Sequence, residues 1–72
     1  MTKTYKLQDL DCANCARKME DAIRKLDGVT EVHVNFLTQK MILTAEDAHF
    51  DEIAKLAAKA CRRVEPDCRV IL

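Results

Sequence analysis

The segment DLDCANCARKMEDAIRKL, residues 9–26, contains the point where a strand-like pattern gives way to a helical one. Before it, Tyr5 and Leu7 alternate with polar residues in KTYKLQDL, which predicts a short first strand. From Ala13 to Asp27 the apolar positions fall on one side of a helix: Cys15, Ala16, Met19, Ala22, Ile23 and Leu26. Gly28 follows as the predicted C-terminal cap of that helix. The first strand therefore turns into the first helix at a pair of cysteines.

The rest of the chain predicts three more strands and a second helix. VTEVHVNF, residues 29–36, and KMILT, residues 40–44, alternate apolar and polar residues across a short turn, which predicts an antiparallel hairpin. The second helix is expected from about Asp51, as its N-cap, to about Arg63, and Pro66 separates it from a last strand, DCRVIL. This order predicts an α+β fold of the ferredoxin-like βαββαβ type, with a four-stranded antiparallel sheet and both helices on one face. We expect a single domain, residues 1–72.

Composition excludes several classes of protein. The 12 basic and 12 acidic side chains balance to a formal net charge of zero, which argues against a nucleic-acid partner held by phosphate charge. No apolar run approaches a membrane span and no signal-peptide pattern opens the chain, so we expect the reducing cytosol and no insertion into a membrane. The four cysteines are not expected to form a disulfide framework, because the chain shows the regular patterning that disulfide-framed miniproteins lack.

Cys12 and Cys15 lie where the first helix begins, and their spacing allows three roles: buried hydrophobic residues, a redox pair, or metal ligands. A helix N-terminus carries partial positive charge and free amide protons, which favour thiolates. Cys12 lies in a polar loop, which weighs against simple burial. The chain is too short for a thioredoxin-type scaffold, and a neighbouring carboxylate disfavours a redox thiolate. Metal binding is the interpretation that these residues favour.

The residues beside the thiols bear on which ion would bind. Two thiolates alone suit copper(I) or mercury(II), whereas zinc(II) and cadmium(II) take about four ligands and accept a carboxylate beside sulfur. Asp11, directly before Cys12, could supply that oxygen or could be a solvated turn or N-cap residue. Asp9 is expected to be a turn residue. The added negative charge favours a dication over a monocation.

The other metal-binding residue types have structural explanations. Two cysteines and two methionines fall on apolar faces and are expected in the core: Cys61, Cys68, Met19 and Met41. His33 and His49 fall at polar positions and are expected to be exposed.

Together, the element order, the cysteine pair after the first strand and the segment LDGVTEVHVNF resemble the heavy-metal-associated domain over essentially the whole chain. This family occurs in copper chaperones, mercury-binding proteins and heavy-metal P-type ATPases. Its copper-type signature is Gly-Met-Thr-Cys-x-x-Cys, for which this chain has DLDCANC. The aspartate before the first cysteine is similar to the zinc, cadmium and lead branch of those ATPases. The resemblance implies ligation by the sulfurs of Cys12 and Cys15 and an oxygen of Asp11, with Leu10 packed beneath the loop.

The chain departs from the family pattern at two places. Asp9 replaces the family's glycine, so the backbone conformation of the loop is a point that the structure must decide. Cys61 and Arg62 fall roughly where many members have a Gly-Tyr pair near the metal. A position of Cys61 near the site is therefore the alternative to its place in the core.

The resemblance implies a soluble module, not itself an enzyme, that captures zinc(II) or cadmium(II), with lead(II) as a further ion. It would pass the ion to a metal-exporting P-type ATPase, or regulate it, on the cytoplasmic side of the membrane. The implied partners are the membrane-embedded transport region, other soluble domains of the same ATPase and a metal donor, and the metal-free domain is expected to be a monomer. The abrupt end in RVIL fits a piece of a longer protein. The alternatives are a free-standing copper(I) or mercury(II) chaperone and a thiol–disulfide redox protein.

Overall fold

The computed structural model describes residues 1–72 and has the predicted order of elements. These are β1 (Thr2–Gln8), α1 (Ala13–Arg24), β2 (Val29–Asn35), β3 (Lys40–Ala45), α2 (Phe50–Val64) and β4 (Arg69–Ile71). The four strands form one sheet in the order β2-β3-β1-β4, and every neighbouring pair is antiparallel. Both helices pack on the same face of this sheet, where the buried side chains form one core. The ferredoxin-like prediction is confirmed.

The β2–β3 hairpin forms as predicted, and its register explains the alternation in the sequence. Val32 pairs with Leu43, and Val34 pairs with Met41. All four side chains are at most 6% exposed, whereas His33 between the two valines is exposed. Because successive side chains of a strand point to opposite faces, this register turns the apolar residues toward the helices.

The first helix buries half of its predicted stripe and ends earlier than predicted. Its buried side chains are Ala16, Met19 and Ile23. The helix ends at Arg24 rather than Asp27, so Gly28 is not its cap. Gly28 instead has a φ of +90° in the turn into β2, and a Cβ there would lie 2.7 Å from Cδ1 of Ile53. Both the backbone conformation and the close approach of α2 therefore require glycine.

The second helix begins one residue before the predicted N-cap. It starts at Phe50, and the N-cap is His49, whose side chain makes no capping hydrogen bond. The prediction of Asp51 as the N-cap is wrong, because Phe50 packs into the core at 2% exposure and brings the start of the helix forward. Asp51 and Glu52 lie in the first turn, where negative charge complements the helix dipole.

The central strand, β1, is paired on both sides, while β4 is a short edge strand. Only three positions of β4 pair with β1: Lys6 with Ile71, Leu7 with Val70, and Gln8 with Arg69. Cys68 lies just before β4 and is buried, but Leu72 is 63% exposed, so the apolar face predicted for DCRVIL does not continue to the last residue. Residues 9–12 leave the doubly paired strand at its C-terminal end.

The core contains the sulfur-bearing side chains that the sequence placed there. Sixteen residues are buried in one cluster, and four of them have no exposed surface and carry sulfur: Met19, Met41, Cys61 and Cys68. Full burial of a side chain of methionine size contributes about 1.5–3 kcal/mol. The core prediction for these residues is confirmed. Neither helix is long and apolar enough to cross a membrane.

Candidate metal centre

The segment that joins β1 to α1, residues 9–12, is called the cysteine loop below. Leu10 is 1% exposed, so its side chain packs beneath the loop as the motif implied. Asp9 has a φ of +61°, in the left-handed region that aspartate tolerates better than most residues with a side chain. The loop thus makes its turn at Asp9 without a glycine.

Cys12 is the N-cap of α1, and its thiol takes the part of a capping side chain. Its backbone is extended, and Sγ accepts a hydrogen bond from the Cys15 N–H at 3.3 Å. The Cys12 carbonyl accepts from the Ala16 N–H at 3.1 Å. Since the free N–H groups of the first turn lie at this end of the helix, the sulfur of Cys12 is placed where a thiolate is stabilised.

The two thiols differ in proton affinity because they act on each other. Interaction with the Cys15 side chain, followed by the hydrogen bond from the Cys15 backbone N–H, lowers the pKa of Cys12. The same interaction between the two side chains, followed by desolvation and the charges of Cys12 and Glu65, raises the pKa of Cys15 to about 11, while Lys18 acts in the opposite direction. Cys12 is therefore the more acidic thiol of the pair.

No pattern in the sequence pointed to Glu65, which lies at the C-terminal end of α2 and approaches Cys15. Its Oε2 lies 3.9 Å from the Sγ of Cys15, and its Oε1 accepts from the Asp67 N–H at 3.4 Å. The family pattern pointed instead to Cys61 and Arg62, but Cys61 is fully buried in the core. The family pattern did indicate the region at the end of the second helix, but Glu65 lies three residues after Arg62, the last residue it pointed to.

The structure places Asp11 next to the thiol pair but not as a formed ligand. Asp11 is exposed, and its charge acts on Cys12 as a minor influence that raises the pKa of that thiol. No three His, Cys, Asp or Glu side chains converge into a group that could hold a metal ion as they stand. The two sulfurs are brought together by the fold, and oxygen ligation by Asp11 stays a prediction.

An acidic cavity of about 720 Å³ opens beside the cysteine loop, and none of its lining residues is hydrophobic. The lining residues are Gln8, Asp9, Asp11, Glu65, Pro66, Asp67 and Arg69. A concave surface with four carboxylates against one guanidinium has a negative potential, which raises the local concentration of cations. The cavity therefore favours the approach of a metal cation to the neighbouring thiols.

The two histidines lie outside this region. His33 is exposed, and its Nδ1 lies 3.4 Å from a carboxylate oxygen of Glu20. His49 is exposed beside Glu52, at 3.8 Å. The prediction that both are exposed is confirmed.

Comparison with known proteins was made on both sequence and structure. The family model described as the heavy-metal-associated domain matches residues 4–60. A zinc/cadmium/lead-transporting P-type ATPase of Shigella sonnei (strain Ss046) is 39% identical over 57 residues, which are 79% of this chain and 8% of that protein. The chain thus spans less than a tenth of that relative's length.

Two solved structures resemble the chain over nearly its whole length. The N-terminal domain of ZntA in its Zn(II) form has a TM-score of 0.72 and 30% identity, covering 97% of this chain and 88% of that one. A structure described as concerning crosstalk between Cu(I) and Zn(II) homeostasis has a TM-score of 0.72 and 27% identity, covering 99% of this chain and 98% of that one. Since the family model covers most of the residues, the chain belongs to the heavy-metal-associated domain family of metal-binding modules.

Proposed function

We propose that this domain captures zinc(II) or cadmium(II) as cargo through the sulfurs of Cys12 and Cys15 and an oxygen of Asp11. Lead(II), another soft dication, would fit the same donors. The domain would then deliver the ion to the transport region of a metal-exporting P-type ATPase, or regulate that ATPase. The transport ATPases among its relatives support this placement.

The observation that carries the proposal is a thiol pair flanked by two carboxylates. Asp11 directly precedes Cys12, and Glu65 lies 3.9 Å from the Sγ of Cys15. Two thiolates neutralise a bound dication, whereas a Cu(I)–dithiolate site keeps one negative charge. Neighbouring carboxylates repel that remaining charge, so they disfavour binding of the monocation relative to the dication. Zinc(II) and cadmium(II) accept sulfur and oxygen donors together, whereas copper(I) is satisfied by sulfur.

The exposure of the thiols suits transfer from one protein to another. Cys12 and Cys15 are both partly exposed, and the cavity beside them is open to solvent. An incoming thiolate or carboxylate can add to the ion before Cys12 or Cys15 leaves, so the ion passes through shared ligation without becoming a free aquo ion. The implied partners are the membrane-embedded region, other domains of the same ATPase and a metal donor, on the cytoplasmic side of the membrane.

Cadmium titration of the reduced protein tests the proposal. The readout is the ultraviolet charge-transfer absorbance of the cadmium–thiolate bond, for the wild type, Asp11→Ala and Asp67→Ala. Asp67 is a matched control, because it is an exposed carboxylate of the same cavity. We expect one-to-one saturation, a loss of affinity of about tenfold or more in Asp11→Ala, and a change within about threefold in Asp67→Ala.

The other outcomes support different functions. If Asp11→Ala and wild type bind cadmium alike, Asp11 is a turn residue, and a copper(I) or mercury(II) carrier becomes the better interpretation. The likeness to the structure concerned with Cu(I) and Zn(II) homeostasis is the observation behind that second candidate. Metal-independent reduction of insulin disulfides would instead identify a thiol–disulfide redox protein.

A further inference from the structure

The turn between β2 and β3 reaches the cysteine loop through one side chain, Gln39. Its Oε1 accepts a hydrogen bond from the Leu10 N–H at 3.0 Å, and its Nε2 donates to the Leu10 carbonyl. The same Nε2 donates to the carbonyl of Phe36 within its own turn. One amide group therefore satisfies both backbone polar groups of Leu10, a residue 29 positions away in the sequence.

The backbone of Gln39 adds a further contact, with the last part of β1, just before the loop. Its carbonyl accepts from the Leu7 N–H at 2.7 Å, where β1 ends. Gln39 has a φ of +56°, a conformation that costs free energy for a residue with a side chain. The half-buried side chain is thus held in a defined direction by a constrained turn.

Leu10 is the point at which the cysteine loop is fixed. Its side chain is buried to 1% exposure, and Gln39 holds its peptide groups on both sides. Cys12 follows two residues later and caps α1. Only Asp11 lies between Leu10 and Cys12, so the position of Leu10 restricts where the sulfur of Cys12 lies.

We propose that Gln39 is a positioning residue of the metal site, which holds the cysteine loop in the conformation that binds an ion. This inference rests on the proposed function. A loop that is ordered before binding loses less conformational entropy when the ion arrives, and residues that orient ligands from behind typically change metal affinity about 10–100-fold when replaced. The β2–β3 turn would therefore tune how long the cargo stays bound.

The test uses three variants and two kinds of measurement. Gln39→Asn keeps the amide and tolerates the positive φ, but its side chain is one methylene too short to reach Leu10. Gln39→Glu keeps the length and the acceptor for the Leu10 N–H but loses both donated hydrogen bonds. Thr38→Ala, in the same turn and exposed, is the control. Cadmium dissociation constants and release rates are measured for each, together with hydrogen exchange of the Leu10 amide in the metal-free protein.

We expect Gln39→Asn to bind cadmium about tenfold more weakly than wild type, mainly through faster release, and to exchange the Leu10 amide faster. Gln39→Glu should also bind cadmium more weakly than wild type, because a carboxylate oxygen would face the carbonyls of Leu10 and Phe36 to which Nε2 now donates. Thr38→Ala should match wild type. Wild-type affinity and release rate in a folded Gln39→Asn protein would overturn the proposal. If that variant does not fold, the same comparison with Gln39→Glu decides.

Copper(I) separates failure of this inference from failure of the proposed function. If wild type binds copper(I) but not cadmium, the dication proposal falls, and the variants are compared with copper(I), since Gln39 acts on the loop whatever the ion. A weakened Gln39→Asn then still supports the positioning role, and an unchanged one refutes it.

Discussion

The buried thiol of Cys61 should make the stability of this fold fall at alkaline pH by an amount that can be calculated. Cys61 has no exposed surface, and desolvation, with a smaller effect of Cys68, raises its pKa from 9.0 to about 12. Because the folded pKa is the higher one, its stabilising effect is fully present below pH 9 and is lost as the pH rises toward 12. Between these values the loss is about 1.4 kcal/mol per pH unit.

The comparison is with Cys61→Ala, which removes the titrating group. At neutral pH the variant should be less stable by about 1–2 kcal/mol, because the missing sulfur leaves a small cavity. Near pH 10.5 the wild type should have lost about 2 kcal/mol through Cys61, so the two proteins should become about equally stable. Tyr5, whose pKa is also raised, is present in both proteins, so its titration cancels in the difference.

Urea unfolding of both metal-free proteins in reducing buffer, at intervals from pH 7 to 10.5, measures this difference. Equal slopes of unfolding free energy against pH at constant m-value would refute the reasoning, because they would mean that Cys61 ionises in the folded state as easily as in the unfolded chain.

Two further substitutions test contacts described above. Gly28→Ala should destabilise the fold by about 1–3 kcal/mol, because of the positive φ and because the new Cβ would lie 2.7 Å from Ile53 Cδ1. Adding Ile53→Val should restore part of the lost melting temperature, and additive losses in the double variant would contradict the clash. Glu65→Gln should weaken cadmium binding about five- to twentyfold and copper(I) binding less, since a carboxylate 3.9 Å from Cys15 Sγ attracts a dication more strongly than a monocation. Competition with chelators measures both affinities, and equal losses for the two ions would exclude an electrostatic role.

Apolar periodicity predicted the core of this domain because periodicity reports which face of an element is buried. It identified Met19, Met41 and Cys61 correctly, together with the order of the elements. The ends of the elements were predicted less accurately, since the last turn of a helix depends on tertiary contacts. α1 ends at Arg24, and Gly28 is required by the close approach of α2 rather than as a helix cap.

The contacts around the thiols could not be predicted in the same way. Glu65 is 50 positions from Cys15, and Gln39 is 29 positions from Leu10. No local sequence pattern links the members of either pair. Which residues a turn contacts depends on the direction in which the turn leaves its helix or hairpin, and that direction is set by the folded chain. The motif located the sulfurs, and only the folded chain shows which side chains surround them.

Because β4 is short, one part of the surroundings of the thiols should open locally more easily than the other. Segments with few paired backbone groups open first in native proteins, and β4 has three paired positions at the edge of the sheet. Such an opening would carry away the preceding turn and the carboxylate of Glu65, while the two sulfurs remain with β1 and α1. Opening of this edge strand would therefore remove a carboxylate from beside the thiols without unfolding the rest of the domain.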